Sequence, residues 1–564
     1  MRSIAHSRRR RPATVAAVAM VFGMGPLLAA GVMAPSALAE DAGCEGSPDV
    51  PFFVDPAPQP PVATSDGVKN GATHYTLTAQ KGVHRFSSAW PAVPSLGYNG
   101  AGYLGPTIVT QKGKPVIVTL KNGLPANERM FAWDKPDDVN NVIVHRHGGL
   151  QAVKDDGVPG QEVAVGTTRD YYYPNSQPAA PLWYHDHAMD VTSYRVYEGL
   201  AGFMPNTDAI EPWLNLPKGD YAKAYVLQDK TFNAYGSLCY SHNEPEFFGD
   251  LPVINGVVAP VQSVDARKYK VTFINGSDSR FMHMTLKLNG PAGTGSVTAP
   301  AMTVVGSDEG YLRNPTKVND LLIAPGERYT VVVNFAGHKG QSWVLANDAV
   351  APYPDGGAEP ENDRTGRLMA FQVGTRPVID LSSVPPLIVT AENGGTALKL
   401  LQARLRTVQA GEIGGMPMLG DKKSLHMFMD KVTETPKLGS TEVWAMRNWS
   451  PDTHPFHEHL VSLRLIARWR ATFDEVTHLP TWIGPMEPPK AFESGPKDTF
   501  VSPKNYITAW VGTYKIGGTS VWHCHLLSHE DTSMMRPLTI GTTAQTWLPW
   551  VYTRANLDKL VRQP

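Results

Sequence analysis

The chain contains 564 residues, which is too long for one hydrophobic core, and domains of roughly 100–200 residues predict three or four of them. Its 51 lysines and arginines balance 52 aspartates and glutamates. The net charge of -1 excludes the strong basic field that attracts nucleic acid or an acidic membrane. Its 51 glycines and 48 prolines separate short apolar runs, a pattern that favours an all-β chain.

The first 39 residues differ from the rest of the chain. A basic stretch, Arg8–Arg11, precedes an apolar run from Ala13 to Met33, and Ala37-Leu38-Ala39 has the small-x-small form of a cleavage site. We predict a signal peptide over residues 1–39, with a transmembrane anchor as the alternative, and the arginines suit twin-arginine export. We therefore expect a secreted or extracytoplasmic protein, periplasmic or at the cell surface, with no stable membrane insertion after signal removal.

The remaining chain divides into a lead-in and three units of similar size. Residues 40–60 form a proline-rich lead-in, and the units cover residues 61–215, 216–380 and 381–564. In each unit, short β-branched or alternating runs follow turn residues, as in the segments 271–276 and 442–449. The pattern predicts three consecutive β-sandwiches, of which the second contains no histidine cluster.

The stretch 411–431 in the third unit has no clear period, because Gly414-Gly415 and the following Met-Pro-Met interrupt it. It predicts a linker or a long insertion. A soft site for cuprous copper is one interpretation of its four methionines, but methionine more often fills irregular apolar surface, and we favour packing. These methionines are Met416, Met418, Met427 and Met429.

Only three cysteines occur, so no disulfide framework supports the fold. Cys524 lies inside a histidine motif. Cys44 and Cys239 either form a disulfide in an oxidising compartment or remain a free pair, and the sequence does not give the distance between them.

Ten of the 18 histidines lie in four short clusters that also contain one cysteine and one methionine. Residues two apart in a strand point to the same face, so each His-x-His pair presents two imidazoles side by side. Such pairs are typical of metal sites. The clusters are His145-Arg146-His147, His185-Asp186-His187, His454-Pro-Phe-His457-Glu458-His459, and His523-Cys524-His525 with His529 and Met534.

The donor types favour copper over zinc. A thiolate with two imidazoles and a weak axial thioether is the ligand set of a blue-copper electron-transfer site. A structural zinc site would use several thiolates or a closed cage of four ligands rather than so many imidazoles. One isolated His-x-His pair would be an ordinary polar strand, but four clusters together are not.

The order and spacing of these clusters resemble those of the multicopper oxidases, in particular the bacterial spore-coat laccases, bilirubin oxidases and phenoxazinone synthases. The resemblance covers nearly the whole chain after the signal, and it implies three consecutive cupredoxin-like domains, each a Greek-key β-sandwich. It also implies four copper ions, one type 1, one type 2 and a type 3 pair. Matching segments outside the metal motifs are Gly105-Pro-Thr-Ile, Ile254-Asn-Gly, Ala324-Pro-Gly-Glu-Arg and Lys497-Asp-Thr.

The resemblance also assigns the ligands residue by residue. The type 1 copper would be held by His454, Cys524, His529 and, as axial ligand, Met534. The type 2 copper would be held by His145 and His457. The type 3 pair would be held by His147, His185, His187, His459, His523 and His525. The first and third units would then close over one trinuclear site, with the second unit as a spacer that holds no copper.

Strand geometry suggests how the two copper centres communicate. Cys524 would bind the type 1 copper, while its neighbours His523 and His525 point to the opposite face and towards the type 3 pair. Four substrate molecules would each give one electron at the type 1 site. Dioxygen at the trinuclear site would take up four electrons and four protons and become two waters.

Reduction of dioxygen at a buried site requires protons, and a positioned carboxylate can supply them. Glu530 directly follows His529, and Asp156 lies nine residues after His147. Both match acidic positions that the related enzymes place beside their oxygen and water channels. We predict a proton relay through Glu530 and Asp156, with Asp155 as the alternative to Asp156 and ordinary surface charge as the alternative for both.

Two residues between the ligands, Arg146 and Glu458, depart from the family pattern, which has apolar or smaller residues there. Both should point away from the copper face, and a lone buried charge is costly, so each should have a partner. We expect Asp186 to be the partner of Arg146.

These motifs lead to a laccase-type oxidase whose partners are dioxygen and a small aromatic reductant such as a phenol, an aminophenol or a bilirubin-like pigment, with no nucleic acid. The first alternative is a cuprous or ferrous metal oxidase, which Met282, Met284 and the methionines after Gly411 keep open. Such an enzyme should have a methionine-rich insertion or acids beside the type 1 histidines, and the sequence shows neither. The second alternative is a non-catalytic copper-binding cupredoxin protein, although all twelve ligand positions are filled.

Overall fold

A computed structural model of the chain describes residues 44–126, 131, 140–241, 245–290, 298–357, 360, 364–390 and 403–541. Strands dominate these residues and form three consecutive β-sandwich domains, so the prediction of an all-β, cupredoxin-like chain is confirmed. The predicted signal peptide lies outside the described residues. No helix in the described ranges has both the length and the apolar composition needed to cross a membrane.

The first domain joins a larger sheet to a small sheet that carries the first two histidine clusters. One helix, Thr192–Glu198, follows the second cluster. The strands are Gly67–Lys69, Ala72–His84, Val93–Tyr98, Thr110–Gln111, Val116–Asn122, His145–His147, Thr168–Tyr173, Trp183–His185, Ala201–Phe203 and Asn206–Thr207.

The second domain is a sandwich of two sheets whose strands are interleaved along the chain. Its strands are Ala222–Phe232, Leu238–Cys239, Leu251–Ile254, Val257–Val258, Val261–Val264, Lys268–Asn275, Met282–Leu288, Ala301–Ser307, Gly310–Val318, Asp320–Ile323, Arg328–Asn334, Ser342–Asn347 and Arg367–Val373.

The third domain places the last two clusters on one sheet, and the short helix Leu527–Thr532 follows the final cluster. Its strands are Arg404–Ile413, Met416–Asp421, Leu425–His426, Thr441–Asn448, His454–Glu458, Leu463–Phe473, Pro480–Trp482, Thr499–Ser502, Tyr506–Thr513, Gly518–Cys524 and Met535–Ile540.

One pairing pattern recurs in all three domains: a long strand pairs in parallel with a second strand, which pairs antiparallel with a third. This recurrence identifies three copies of one sandwich. The three sets are Ala72–His84, Val116–Asn122 and Thr168–Tyr173; Ala222–Phe232, Lys268–Asn275 and Arg328–Asn334; and Arg404–Ile413, Thr441–Asn448 and Tyr506–Thr513.

The cores of the first and second domains are continuous. Trp183 and Tyr197 of the first domain belong to the same buried cluster as Phe232, Val253 and Ile274 of the second. Each large apolar side chain buried in this way contributes about 1.5–3 kcal/mol. The second domain is therefore fixed firmly against the histidine-bearing sheet of the first.

The region 411–431, predicted to be a linker or a long insertion, is instead mainly a β-hairpin. Arg404–Ile413 pairs antiparallel with Met416–Asp421 through a turn at Gly414 and Gly415, which have φ of 61° and 82°. A two-residue Gly-Gly turn is a hairpin signal, and only the break in periodicity was recognised. The hairpin reaches the end of the last helix, where the Ser533 hydroxyl donates to the Pro417 carbonyl at 2.6 Å.

Cys44 and Cys239 form a disulfide, with 5.8 Å between their Cα atoms. Of the two states left open by the sequence, the paired state is the one observed. The bond ties the lead-in to the strand Leu238–Cys239 of the second domain across a separation of 195 residues. Next to it, the backbone N–H of Ser47 donates to Asp250 at 2.7 Å, so a hydrogen bond reinforces the attachment of the lead-in.

We expect the double variant C44S/C239S to unfold at a lower temperature than the native chain. Closing a loop of this length removes chain entropy from the unfolded state that corresponds to about 5 kcal/mol in the loop-entropy model. The loss should appear in differential scanning calorimetry as a Tm lowered by several degrees. Reduction of the native protein should reproduce the shift, and an unchanged Tm in both samples would contradict the stabilising role.

Candidate metal centre

Two pairs of short strands bring the four histidine clusters into position. In the first domain, His145–His147 pairs antiparallel with Trp183–His185, which sets His145 opposite His185. In the third domain, His454–Glu458 pairs antiparallel with Gly518–Cys524, which sets His457 opposite His523. Alternate residues of a strand share one face, so the imidazoles converge while the residues between them face away.

Imidazoles of the first and third domains meet at one buried point. Nε2 of His523 lies 3.3 Å from Nε2 of His187 and 3.1 Å from Nε2 of His459. Nε2 of His525 lies 3.2 Å from Nδ1 of His147. The sequence-based expectation that these two domains close over one site therefore matches the geometry.

A second group of donors lies within the third domain. His454, Cys524 and His529 offer ligand atoms within 4.8 Å of one another, and Sγ of Cys524 lies 3.4 Å from Nδ1 of His454. The short helix carries His529 and returns the chain to buried Met534, whose carbonyl accepts a hydrogen bond from the Cys524 N–H at 3.0 Å. Burial raises the pKa of the Cys524 thiol, so a bound cation is needed to favour the thiolate.

The protonation states suit metal binding. Burial, helped by the neighbouring His187 imidazole, lowers the pKa of His185 to about 3, and burial lowers the pKa of His187 and His529 to about 4. These side chains are therefore neutral at neutral pH, which is the form that binds metals.

Hydrogen bonds fix the outer nitrogens of three imidazoles and leave the inner nitrogens free. Nδ1 of His145 donates to the Asp156 carbonyl at 2.7 Å, Nδ1 of His185 to the Asp186 carbonyl at 2.8 Å, and Nδ1 of His457 to the Asp498 carbonyl at 3.0 Å. Their Nε2 atoms are buried and have no hydrogen-bond partner among the described residues. Because such orphaned atoms are rare, and because the third-domain group adds a thiolate, the donor set fits copper.

Both predicted relay carboxylates lie against these imidazoles. Oδ2 of Asp156 lies 2.9 Å from Nδ1 of His459, and Oε2 of Glu530 lies 2.9 Å from Nδ1 of His523. Burial raises the pKa of Asp156 to about 7, although hydrogen bonds from Ser520 and Gln151 oppose it. Burial acts in the same direction on Glu530, but the imidazoles beside it hold its pKa below the usual range.

Asp155, the alternative to Asp156, faces a different way. Its carboxylate lies 3.6 Å from Nζ of Lys154. It therefore makes a local ion pair beside an exposed lysine, and the structure assigns the position at the imidazoles to Asp156.

The prediction that Asp186 is the partner of Arg146 is wrong. Buried Arg146 donates to Oδ1 of Asn175 at 2.7 Å and to Oγ1 of Thr110 at 3.0 Å, and its guanidinium lies 4.9 Å from the ring centroid of Tyr173. Asp186 instead accepts hydrogen bonds from the backbone N–H groups of Ile143 and Ala188. Neutral amide and hydroxyl oxygens and an aromatic face replace the anticipated carboxylate.

Glu458 also faces away from the metal ligands, as expected, and has a neutral partner. Its Oε2 accepts a hydrogen bond from Nε1 of Trp510 at 3.0 Å. Burial raises the pKa of Glu458 to about 7. A buried carboxyl with a raised pKa can avoid the cost of a lone charge by taking up a proton.

The second domain is more than the spacer that the sequence suggested. Arg328 reaches out of it and forms a bidentate pair with Asp498 of the third domain, with both N–O distances at 2.6 Å. Oδ1 of Asp498 in turn lies 3.0 Å from Nε2 of His147 in the first domain. Arg328 and Asp498 lie in two of the segments that match the family outside the metal motifs, 324–328 and 497–499. Their spacing in the sequence does not predict that two such distant segments meet.

Glu246 is a second residue that the sequence did not reveal. Its Oε1 lies 3.8 Å from Nε2 of His529, although acids were not expected beside this histidine. Burial raises the pKa of Glu246 to about 8, and the negative charge of Asp452 adds to the effect. Glu246 belongs to the second domain, so only the folded chain brings it to the third-domain donors.

The methionines weighed for a soft metal site lie in different surroundings. Met282 and Met284 pack in the core of the second domain. Met418 is buried in the hairpin, whereas Met427 and Met429 are exposed by 43% and 88%. Burial of Met282, Met284 and Met418 fits the packing interpretation, whereas Met427 and Met429 are too exposed to pack in this way.

Comparisons with known proteins agree with this geometry. Three multicopper oxidase family models match residues 84–208, 297–367 and 399–543. A laccase of Bacillus subtilis is 33% identical over 527 residues, covering 86% of this chain and 98% of the laccase. A laccase of Bacillus stratosphericus is 32% identical over 531 residues, with 86% and 99% covered.

A solved structure gives the same fold. The bacterial laccase-like multicopper oxidase CueO of Ochrobactrum superposes with a TM-score of 0.69 at 24% identity, covering 86% of this chain and all of that one. The two converging donor groups, the three matching family models and the full-length similarity to curated laccases together show that the chain belongs to the multicopper oxidase family.

Proposed function

We propose that this chain is a laccase-type oxidase that couples four one-electron oxidations of phenols, aminophenols or bilirubin-like pigments to the reduction of dioxygen to two waters. The observation that carries the proposal is the tripeptide His523-Cys524-His525. Its cysteine belongs to the third-domain donor group, and its two histidines belong to the site shared with the first domain. One short segment therefore joins a site for electron entry to a site for dioxygen.

In this proposal the copper sites follow the assignment implied by the sequence. His454, Cys524, His529 and Met534 hold the type 1 ion. His145 and His457 hold the type 2 ion, and the remaining six clustered histidines hold the type 3 pair. Bound copper supplies the one-electron transfers and the reduction of dioxygen.

We infer that electrons from the substrate enter the type 1 site through His529. Within the third-domain group, the His529 ring faces Glu246, which lies in the partly exposed loop after residue 244. The His454 ring instead contacts the buried Ser450 hydroxyl, which lies 2.8 Å from its Nε2. An aromatic reductant bound beside Glu246 would lie close to the His529 ring. The short His529–Cys524 donor group then carries the electron inward.

Proton supply is assigned to Asp156 and Glu530. Asp156 accepts hydrogen bonds from Gln151 and Ser520 at 2.8 Å while it contacts His459, so it can hold a proton beside the site. Glu530 lies 3.4 Å from Nδ1 of His187 in addition to its contact with His523. Each carboxylate lies within one hydrogen bond of an imidazole, which is the distance that proton transfer requires.

A cuprous or ferrous metal oxidase is the second candidate, and Glu246 is the observation that favours it. A carboxylate beside His529 suits ferrous iron better than cuprous copper, because cuprous copper prefers soft sulfur ligands. The raised pKa of Glu246 opposes this reading near neutral pH, since a protonated carboxyl is a poor ligand. We therefore retain a laccase-type oxidase as the main proposal.

The proposal includes export through the signal sequence over residues 1–39. The Cys44–Cys239 disulfide supports it, because disulfides persist mainly in oxidising compartments. Dioxygen and a small aromatic reductant are then met outside the cytoplasm.

C524S should abolish turnover while leaving the shared histidine site intact. Serine cannot supply the thiolate, so the blue absorption should disappear and oxygen uptake with a phenol should fall to the rate without enzyme. Copper content per chain should drop by one ion. The control C44S/C239S changes the other two cysteines and should keep both colour and turnover; a blue, active C524S would overturn the assignment.

D156N and E530Q should slow the reduction of dioxygen without loss of copper. General acid–base groups contribute on the order of 10²-fold or more, so kcat should fall by about that factor while the blue absorption remains. The matched control is D155N, which alters the adjacent carboxylate. Equal losses in D155N and D156N would argue against a specific relay.

Steady-state oxygen uptake should give a higher kcat/KM for phenols, aminophenols or bilirubin than for cuprous or ferrous ions. E246Q separates the two candidates, because it should weaken metal oxidation strongly if Glu246 is a metal ligand. E475Q, at an exposed acid of the third domain, is the control. Fast ferrous or cuprous oxidation that E246Q abolishes, together with slow phenol oxidation, would replace the laccase proposal.

A further inference from the structure

A turn of the second domain enters the site that the first and third domains share. Arg328 follows this turn, and all five of its N–H donors are used. Two bind the Asp498 carboxylate, as described above. The others bind the carbonyls of Pro181 at 3.1 Å, Gly326 at 3.2 Å and Asp308 at 2.8 Å. The guanidinium therefore has one defined orientation and contacts all three domains.

Asp498 passes this orientation to the imidazoles. Its Oδ1 accepts a hydrogen bond from Nε2 of His147, so the proton of that ring sits on Nε2 and Nδ1 is left facing His525. The Asp498 carbonyl accepts from Nδ1 of His457, which leaves Nε2 of that ring facing inward. One residue thus selects opposite tautomers for two histidines on different domains.

The approach of these groups requires two glycines. A Cβ atom at Gly148, which has φ of 80°, would lie 2.6 Å from Nη2 of Arg328. A Cβ atom at Gly326, which has φ of 83°, would lie 2.7 Å from the ring of His525. The turn therefore packs directly on one histidine of the shared site and acts on two others through Asp498.

The charges around Arg328 are matched but buried. Lys497 lies 2.9 Å from Asp308 and 3.0 Å from Glu327, and each of these side chains is at most 2% exposed. Burial of such ion pairs is weak as a source of stability, because desolvation offsets most of the attraction. A network of this kind beside a metal site is better explained by the orientation that it imposes.

We propose that Arg328 is a positioning residue of the trinuclear site, by which the second domain fixes the tautomers and directions of His147 and His457 through Asp498. The second domain then orients ligands of the dioxygen site although it supplies no ligand itself. This inference rests on the proposed copper assignment. The competing interpretation is a salt bridge that only joins domains.

R328K tests the inference, because lysine keeps the charge but cannot form the bidentate fork. We expect copper retention at the trinuclear site, measured by chelator competition, to weaken by about 10–100-fold. The type 2 EPR hyperfine pattern should also change. The type 1 EPR signal of the same sample should not, because its ligands have no contact with Arg328. R468K is the matched control: Arg468 is also buried and forms a bidentate pair with Glu493.

D498N and the double variant R328K/D498N show whether the two residues act in one path. If Arg328 acts through Asp498, the effects of the single variants on the type 2 spectrum should not add. D498N also carries the test alone if R328K fails to fold. An unchanged type 2 spectrum and copper retention in the folded variant, or an equal change in R468K, would overturn the inference. A native protein without a type 2 signal would instead refute the proposed copper assignment.

Discussion

The structure depends on bringing neutral imidazoles from two separate domains to within about one hydrogen-bond length of each other. Burial keeps such rings uncharged, and uncharged rings can approach without repulsion. The inward Nε2 atoms of His145, His185 and His457 have no hydrogen-bond partner among the described residues, which is rare for buried polar atoms and fits a bound ligand. The close contact of His523 with His187 and His459 therefore sets how the first and third sandwiches must pack.

Short antiparallel strand pairs meet this requirement with little sequence. A three-residue strand such as His145–His147 presents two rings on one face, and the intervening side chain points into the domain interior. The interior supplies partners for these side chains: Arg146 contacts neutral oxygens and an aromatic face, and Glu458 accepts a hydrogen bond from an indole N–H. The side chains between ligands can thus vary while the ligand geometry stays constant.

The sequence predicted the sandwich class and the residues of both donor groups, because the period of two in a strand is a local property that the clusters display directly. It did not predict Asp498, Arg328 or Glu246 as parts of these sites, since their roles arise from contacts between distant segments. Its prediction of a loop at 411–431 failed because a Gly-Gly hairpin turn was read as a loss of pattern. The expected Arg146–Asp186 pair failed because a charge was assumed to need an opposite charge.

The distance along the chain between partners in the shared site constrains how the protein matures. His147 and His525 are 378 residues apart, and domains fold in order from the N-terminus as the chain is made. The first sandwich can fold early, but its imidazoles remain an incomplete half-site until the last strands have been synthesised and docked. Copper can therefore bind with full coordination only at the end of folding, when the C-terminal sandwich closes on the finished N-terminal one.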